Sequence, residues 1–192
     1  MRLVEGFDSA TIAGFTVGLL ASKYDNPKPI PDFHHEMWEL ASSDEPKVAI
    51  AAPRAHAKST SMTHCFGLAL ALFRIRSFIL IVSDSEGQAA EFLGDIKAEL
   101  ESNDVLRETF QIRKIIKSTE TNVIVQFRDG EQCRFLAKGS EQKLRGLKWR
   151  NKRPDAILCD DLENDEIVMN PDRREKFRKW FMNALMPCGS DN

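Results

Sequence analysis

The sequence predicts an α/β protein with a mostly parallel central sheet and helices on both faces. Three short apolar runs, at 47–53, 77–85 and 155–161, have the length and composition of strands that are buried in a parallel sheet. Helical segments separate these runs, and such an alternation is typical of parallel strands joined by helical crossovers. The sequence contains no internal repeat and no low-complexity segment.

The N-terminal part of the chain predicts two helices joined by an extended connector. A first helix is expected within 8–24, with Asp8 or Ser9 as its N-cap. Three prolines in 25–33 favour an extended connector, and a short helix is expected at 34–43. We therefore expect an N-terminal helix and connector at 1–30, followed by the main domain at 31–192.

Further helices and a hairpin are predicted along the rest of the chain. One helix is expected at 59–73, and a helix at 170–187 has Asn170 as its cap and Pro171 in its first turn. Asp129 and Gly130 lie between two alternating segments and predict a β-hairpin over 121–139. An amphipathic helix is expected at 86–103, with these apolar residues on one face: Ala89, Phe92, Leu93, Ile96 and Leu100.

Composition and charge argue against several classes of protein. The chain of 192 residues has a formal net charge of -2, so any attraction to nucleic acid must come from a local patch. The four cysteines are widely spaced without a CxxC pair, which argues against a zinc site. The most apolar run carries Arg74 and Arg76 at its middle, unlike a membrane span. Since no signal peptide is evident either, we expect a cytoplasmic protein without a membrane partner.

The segment "AAPRAHAKST" at 51–60 resembles a phosphate-binding loop between a strand and a helix. The usual pattern is glycine, four residues, glycine, lysine and then serine or threonine. Here Ala52 and Ala57 occupy the glycine positions, and Lys58 and Ser59 follow in register. Alanine resists positive φ, so the replacement of glycine is tolerable only if both positions keep negative φ. The alternative is a plain turn with a solvated Lys58 and with Ser59 or Thr60 as a helix cap.

A working phosphate loop would bind nucleotide through backbone N–H groups, a lysine and a hydroxyl. Lys58 would contact the β and γ phosphates of ATP, and the Ser59 hydroxyl would bind Mg²⁺. Arg54 would place a cation near the γ phosphate, the alternative being a solvated loop arginine. The predicted nucleotide-binding residues are Ala52, Pro53, Arg54, Ala55, His56, Ala57, Lys58, Ser59 and Thr60.

Three acidic residues follow the last apolar run. An ATPase of this type needs one carboxylate for the magnesium shell and a second to orient and deprotonate water. Asp160 fits the first role, and Asp161 or Glu163 fits the second. The alternative is a strand that ends in a solvated acidic loop. The loop at 51–60 and this acidic segment each follow an apolar run. Their occurrence in this order favours a phosphate site.

Two more segments are candidates for binding. The stretch 136–154 is strongly basic, and Arg145, followed by Gly146, could reach the nucleotide of a neighbouring subunit or a DNA phosphate. For most of its basic side chains a solvated loop is the alternative. His34, in the segment before the loop, could contact adenine, or its helix could simply pack on the sheet.

Four segments together resemble the ATPase domain of large terminase subunits, the DNA-packaging motors of tailed bacteriophages and prophages. They are "PDFHHEMWEL", "APRAHAKST", "KLRGLKWRNKRPDAILCDDLENDE" and "RREKFRKWFMNALMPCGSDN", and the resemblance covers roughly residues 30–192. That family often departs from the glycine-rich loop and places an arginine where Arg54 stands. The glutamine often found near His34 is absent, and Asp161 stands where glutamate is common.

The resemblance implies a three-layer P-loop NTPase of the RecA-like (ASCE) type that works as a homo-oligomeric ring around double-stranded DNA. It implies ATP and Mg²⁺ as ligands, with Lys58, Ser59 and Asp160 in the roles given above. Arg145 would serve a neighbouring subunit, and a small terminase subunit and a portal protein would be partners. It also implies a further strand and a nuclease domain after residue 192. The alternative function is a non-catalytic nucleic-acid-binding or assembly module with a degenerate loop.

Overall fold

The computed structural model describes residues 6–20, 29–53 and 55–190, which form one five-stranded sheet with helices on both faces. The strands follow one another in space in the order β2-β3-β4-β1-β5. Their bounds are Phe78–Ser83 for β1, Ile112–Ser118 for β2, Asn122–Phe127 for β3, Gln132–Gly139 for β4 and Ala156–Cys159 for β5.

Strand β1 lies at the centre of the parallel part of the sheet. All six of its residues are buried, as its apolar sequence predicts. It pairs in parallel with β4 on one side, where Phe78 is opposite Arg134, and with β5 on the other, where Ile79 is opposite Ala156. The carboxyl ends of these three strands therefore meet at one edge of the sheet.

The expectation of a mostly parallel sheet is wrong, because the sheet is mixed. The hairpin predicted around Asp129 and Gly130 is confirmed, with Gly130 at φ 93° in the turn. Its strands β3 and β4 join the main sheet, and β2 adds a further antiparallel pair to β3. An alternating two-strand pattern predicts the hairpin, but the long-range pairing of β4 with β1 depends on contacts that a local pattern cannot specify.

The strand predicted at 47–53 is also absent. No residue of this segment pairs with a strand within the part of the chain that the structure describes. Val48, Ile50 and Ala52 are half-buried, and the residues between them are exposed. The segment therefore has one packed face without the ladder of backbone hydrogen bonds that defines a strand.

The five predicted helices are confirmed where the structure describes them, and two further helices, α5 and α6, were not predicted. Positions 21–24 of the first predicted helix and 25–28 of the connector lie outside the described residues. Helix α1 spans Ser9–Phe15, with Asp8 as its cap, and continues as Thr16–Leu20; α2 spans Asp32–Ser42. Helix α3 comprises Thr60–Phe66 and Gly67–Leu72, and α4 spans Glu86–Ser102. The remaining helices are α5 at Asp104–Thr109, α6 at Asp165–Met169 and α7 at Pro171–Trp180, which continues through Phe181–Leu185 and Met186–Cys188.

Alternate residues of β1 point into two separate hydrophobic clusters. Ile79 and Ile81 belong to the larger cluster, which contains residues of α1, α2, α3 and α4. Phe78, Leu80 and Val82 belong to the smaller cluster, which contains residues of the α7 extension. Because successive side chains of a strand point to opposite faces, the two clusters lie on opposite sides of the sheet.

Within the described residues, none of the helices combines the length and the apolar character that crossing a membrane requires. The segment around Arg74 and Arg76 forms the turn between α3 and β1, in agreement with the sequence argument that it does not span a membrane.

Gly139, at the end of β4, allows the backbone of α4 to approach closely. A Cβ atom at this position would lie 2.5 Å from the amide nitrogen of Glu86 and 2.9 Å from the carbonyl carbon of Ser85. We expect Gly139→Ala to lower the free energy of unfolding by about 1–3 kcal/mol, because backbone must move to accommodate the methyl group. Urea denaturation measures this change.

Gly94 is the matched control for that substitution. It lies in α4, and a Cβ atom there would meet nothing within 4 Å. Gly94→Ala should raise stability by about 0.5–1 kcal/mol, since alanine is the better helix former. Equal effects of the two substitutions would contradict the close approach at Gly139.

Candidate functional site

The carboxyl edge of the parallel strands carries three aspartates. Asp84 follows β1, and Asp160 and Asp161 follow β5. Backbone hydrogen bonds fix the strand ends side by side: the Asp160 N–H donates to the Val82 carbonyl, and the Asp84 N–H donates to the Asp161 carbonyl, each over 3.0 Å. In open α/β sheets, this edge is where ligands bind.

Asp160 contacts the helix that follows the predicted phosphate loop. The Thr63 hydroxyl of α3 lies 3.3 Å from Asp160 Oδ2 and donates a hydrogen bond to it. Ser59, the predicted magnesium ligand, precedes Thr63 by about one helical turn. The fold thus brings the acidic end of β5 to the first turns of α3, which a phosphate site requires.

The side chain of Lys58 folds back and forms hydrogen bonds with the backbone of its own loop, an arrangement called here the closed state of the loop. Lys58 Nζ donates to the carbonyl oxygens of Ala52 at 2.5 Å and Pro53 at 3.1 Å. The ammonium group is therefore engaged by loop backbone rather than solvated, unlike in the plain-turn alternative. Ser59 makes no side-chain capping hydrogen bond, so the serine cap of that alternative is not observed.

The condition that both alanines keep negative φ is not met at Ala57. Its φ is 50°, and Ala55 has φ 64°, whereas Ala52 is not among the residues with positive φ. The loop thus adopts at Ala57 the left-handed conformation that glycine would adopt without strain, and the methyl group makes this conformation costlier. Pro53 and His56 are exposed, and Arg54 lies outside the described residues.

Helix α2 is attached to the loop and to α3. The Trp38 indole N–H donates a buried hydrogen bond of 3.1 Å to the Ser61 carbonyl, and His34 Nε2 lies 3.0 Å from the His56 carbonyl oxygen. Phe33 packs against His56 with ring centroids 5.4 Å apart. His34, predicted as an adenine contact, is therefore next to the loop.

A cavity of about 310 Å³ lies between the start of α3 and the middle of α4. Ser59, Thr60 and His64 line it from α3, and Asp95 and Glu99 line it from α4. Glu99 is only 2% exposed. Because two carboxylates line the cavity, it would repel phosphate groups.

The two candidate bases differ in how they are held. Asp161 is exposed and has φ 51°, but its backbone carbonyl accepts from Asp84 at the edge of the sheet. Glu163 is exposed in the short loop before α6. The sequence analysis did not identify Asp84 or Thr63 as site residues. Asp84 could have been found because it is an acid directly after a predicted buried strand.

Arg145 lies away from the loop. Its neighbour Leu144 is buried in the smaller cluster, on the face of the sheet opposite α3. Glu141, the only acid in the basic stretch, pairs with Arg173 at 3.5 Å and with Lys176 at 2.8 Å. The structure therefore does not bring Arg145 into the site of its own chain.

The described residues contain no group of three or more histidine, cysteine, aspartate or glutamate side chains placed to hold a metal ion. A divalent cation at this site would instead use the Ser59 hydroxyl together with a single carboxylate, that of Asp160, and phosphate oxygens of a substrate. Such a sparse protein shell is usual for Mg²⁺, which retains waters and binds substrate phosphates.

Comparisons with protein-family models, with curated proteins and with solved structures found no match to this chain.

His64 links stability to pH. Burial lowers the pKa of His64 below its ordinary value of 6.5, although the carboxylates of Glu99 and Asp95 act in the opposite direction. The unfolded chain therefore binds a proton at His64 more readily than the folded chain does. We expect stability to fall as the pH drops from about 6.5 through the folded-state pKa.

Comparing His64→Gln with the original chain in urea at several pH values tests this expectation. The substitution should remove part of the stability loss between neutral and acidic pH. An unchanged pH dependence would show that His64 does not contribute to it.

Proposed function

We propose that this chain is an ATP-hydrolysing motor domain of a phage large terminase, which drives double-stranded DNA into a procapsid. In this proposal the fold is a variant of the RecA-like P-loop type. The observation that carries the proposal is the contact between Thr63 and Asp160, because it joins the acidic strand end to the helix of the loop. The sequence resemblance supplies the assignment to terminases.

The proposed chemistry combines Lys58 and Ser59 of the loop with the acids that follow β5. Lys58 would exchange the Ala52 and Pro53 carbonyls for the β and γ phosphates, to which its ammonium bonds more strongly. Ser59 and Asp160 would hold Mg²⁺. When bound, Mg²⁺ neutralises the charge that develops on the phosphate oxygens. Asp161 or Glu163 would orient and deprotonate the attacking water.

The assembly proposed for this domain is a homo-oligomeric ring around double-stranded DNA. Arg145 lies on the face of the sheet opposite α3, which suits a residue that acts on the nucleotide of a neighbouring subunit rather than on its own. By the same resemblance, a small terminase subunit and a portal protein would be partners, and the host cytoplasm would be the location.

Hydrolysis of Mg-ATP by Lys58→Ala and Asp160→Asn variants tests the proposed site. We expect each substitution to lower the steady-state rate by at least about 100-fold, because each removes a charge that contacts the phosphates or the magnesium ion. The measurement uses the full chain at high concentration, with double-stranded DNA present, and follows phosphate release.

Lys47→Ala is the matched control for this experiment. Lys47 is exposed in the segment before the loop, so its substitution removes a lysine without touching the site. It should leave the rate unchanged. If the original chain binds Mg-ATP and both site variants hydrolyse it as fast as this control, the proposed site is wrong.

A second pair of variants separates the two candidate bases. Asp161→Asn should lower hydrolysis more than Glu163→Gln does, because the Asp161 backbone is anchored to Asp84 at the edge of the sheet. We expect a difference of about 100-fold or more, in keeping with the contribution of a general base. A larger loss in Glu163→Gln would assign the base to Glu163, and ATP affinity should be similar in both.

The positive φ of Ala57 and the closure of the loop by Lys58 favour one alternative function. A loop that prefers this closed state would leave the chain as a non-catalytic nucleic-acid-binding or assembly module. Its binding to duplex DNA should then weaken steeply with salt, because phosphate contacts release counterions. Failure of the original chain to bind Mg-ATP, together with salt-dependent DNA binding, would select this function.

A further inference from the structure

A second cavity, of about 260 Å³, lies on the face of the sheet opposite α3. Leu144 and Cys188, both buried in the smaller cluster, contribute to its apolar part. Arg145 and Arg153 line it from the basic stretch, and Asn183 lines it from the α7 extension. The cavity thus combines an apolar floor with two guanidinium groups and one carboxamide.

The positive charge at this cavity has no acidic partner among the residues that the structure describes. The described lining contains no acidic side chain. Arg153 donates from Nη1 to the Pro187 carbonyl at 2.8 Å, so a neutral partner holds its guanidinium at the cavity. Arg145 forms neither an ion pair nor a hydrogen bond in the described part of the chain.

The nearest acids along the chain are occupied elsewhere. Glu141 pairs with Arg173 and Lys176. The Asp155 carboxylate accepts hydrogen bonds from the backbone N–H groups of Ser77 at 2.9 Å and Phe78 at 2.7 Å. Within residues 6–20, 29–53 and 55–190, the charge of the two arginines is therefore available to a ligand.

We propose that this cavity is an oxyanion-binding site that accepts a phosphate group. Two guanidinium groups offer the planar donor pairs that match phosphate oxygens, and the Asn183 amide adds a neutral donor. A volume near the lower limit of about 300 Å³ for ligand pockets favours a compact anion over a large ligand. The site does not depend on the phosphate loop, from which the sheet separates it.

Inorganic phosphate is the probe that tests this site. A ¹H–¹⁵N NMR titration of the full chain, with sodium chloride matching the ionic strength, should show saturable shifts in the amides of 144–147 and 183–188. Arg145→Gln should raise the Kd about tenfold or more, since it removes charge-assisted hydrogen bonds. Asn183→Ala should raise it by a smaller factor.

Two controls make the result specific. Lys148→Gln removes an exposed positive charge from the same stretch, at a residue that does not line the cavity, and should leave the Kd unchanged. Lys58→Ala should leave the shifts in 144–147 intact, which separates this site from the loop. The absence of saturable binding, or an equal loss in Lys148→Gln and Arg145→Gln, would overturn the proposal.

A competition experiment then identifies the source of the phosphate. Displacement of inorganic phosphate by a short DNA duplex, lost in Arg145→Gln, would identify the backbone of nucleic acid as the ligand. Displacement by a nucleoside monophosphate but not by the duplex would identify a free phosphate ester. Either result supports the site.

Discussion

The parallel pairing of β1 with β4 on one side and β5 on the other is the constraint on which the candidate site depends. All six residues of β1 are buried, so the strand has apolar contacts on both faces that hold it in place. At its amino end, the Asp155 carboxylate accepts from the backbone of Ser77 and Phe78. The register that these contacts fix sets the position of Asp160 at the opposite end of β5.

Polar groups of the candidate site form hydrogen bonds with other groups of the protein. Lys58 donates to loop carbonyls, and Thr63 donates to Asp160. In the proposed function, a phosphate ligand would exchange partners at Lys58, and its affinity would reflect the difference between the two sets of contacts rather than the new contacts alone. The sheet and α3 already hold the carboxylate near the helix, so less rearrangement is needed there.

Local patterns predicted most of the helices and the hairpin, because caps, periodicity and turn residues act over a few positions. Asn170 caps α7 through the N–H groups of Asp172 and Arg173, and Gly130 supports the hairpin turn. Long-range pairing was not predictable: among the described residues no strand pairs with the apolar segment 47–53, and the hairpin joins the sheet beside β1. The left-handed φ of Ala57 likewise contradicts its intrinsic preference. The order of the loop and the acids predicted that the two elements serve one site, whereas the contact of Thr63 with Asp160 and the cavity at Arg145 require the folded structure.

Hydrogen–deuterium exchange of the full chain with and without a non-hydrolysable Mg-ATP analogue tests the central claim most directly. If the loop and the strand-end acids form one nucleotide site, peptides covering 52–60 and 159–163 should both become protected. Omission of Mg²⁺ should weaken the protection at 159–163 in particular, because Asp160 acts through the metal. Saturating analogue that protects neither peptide, or only peptides elsewhere in the chain, would contradict the claim.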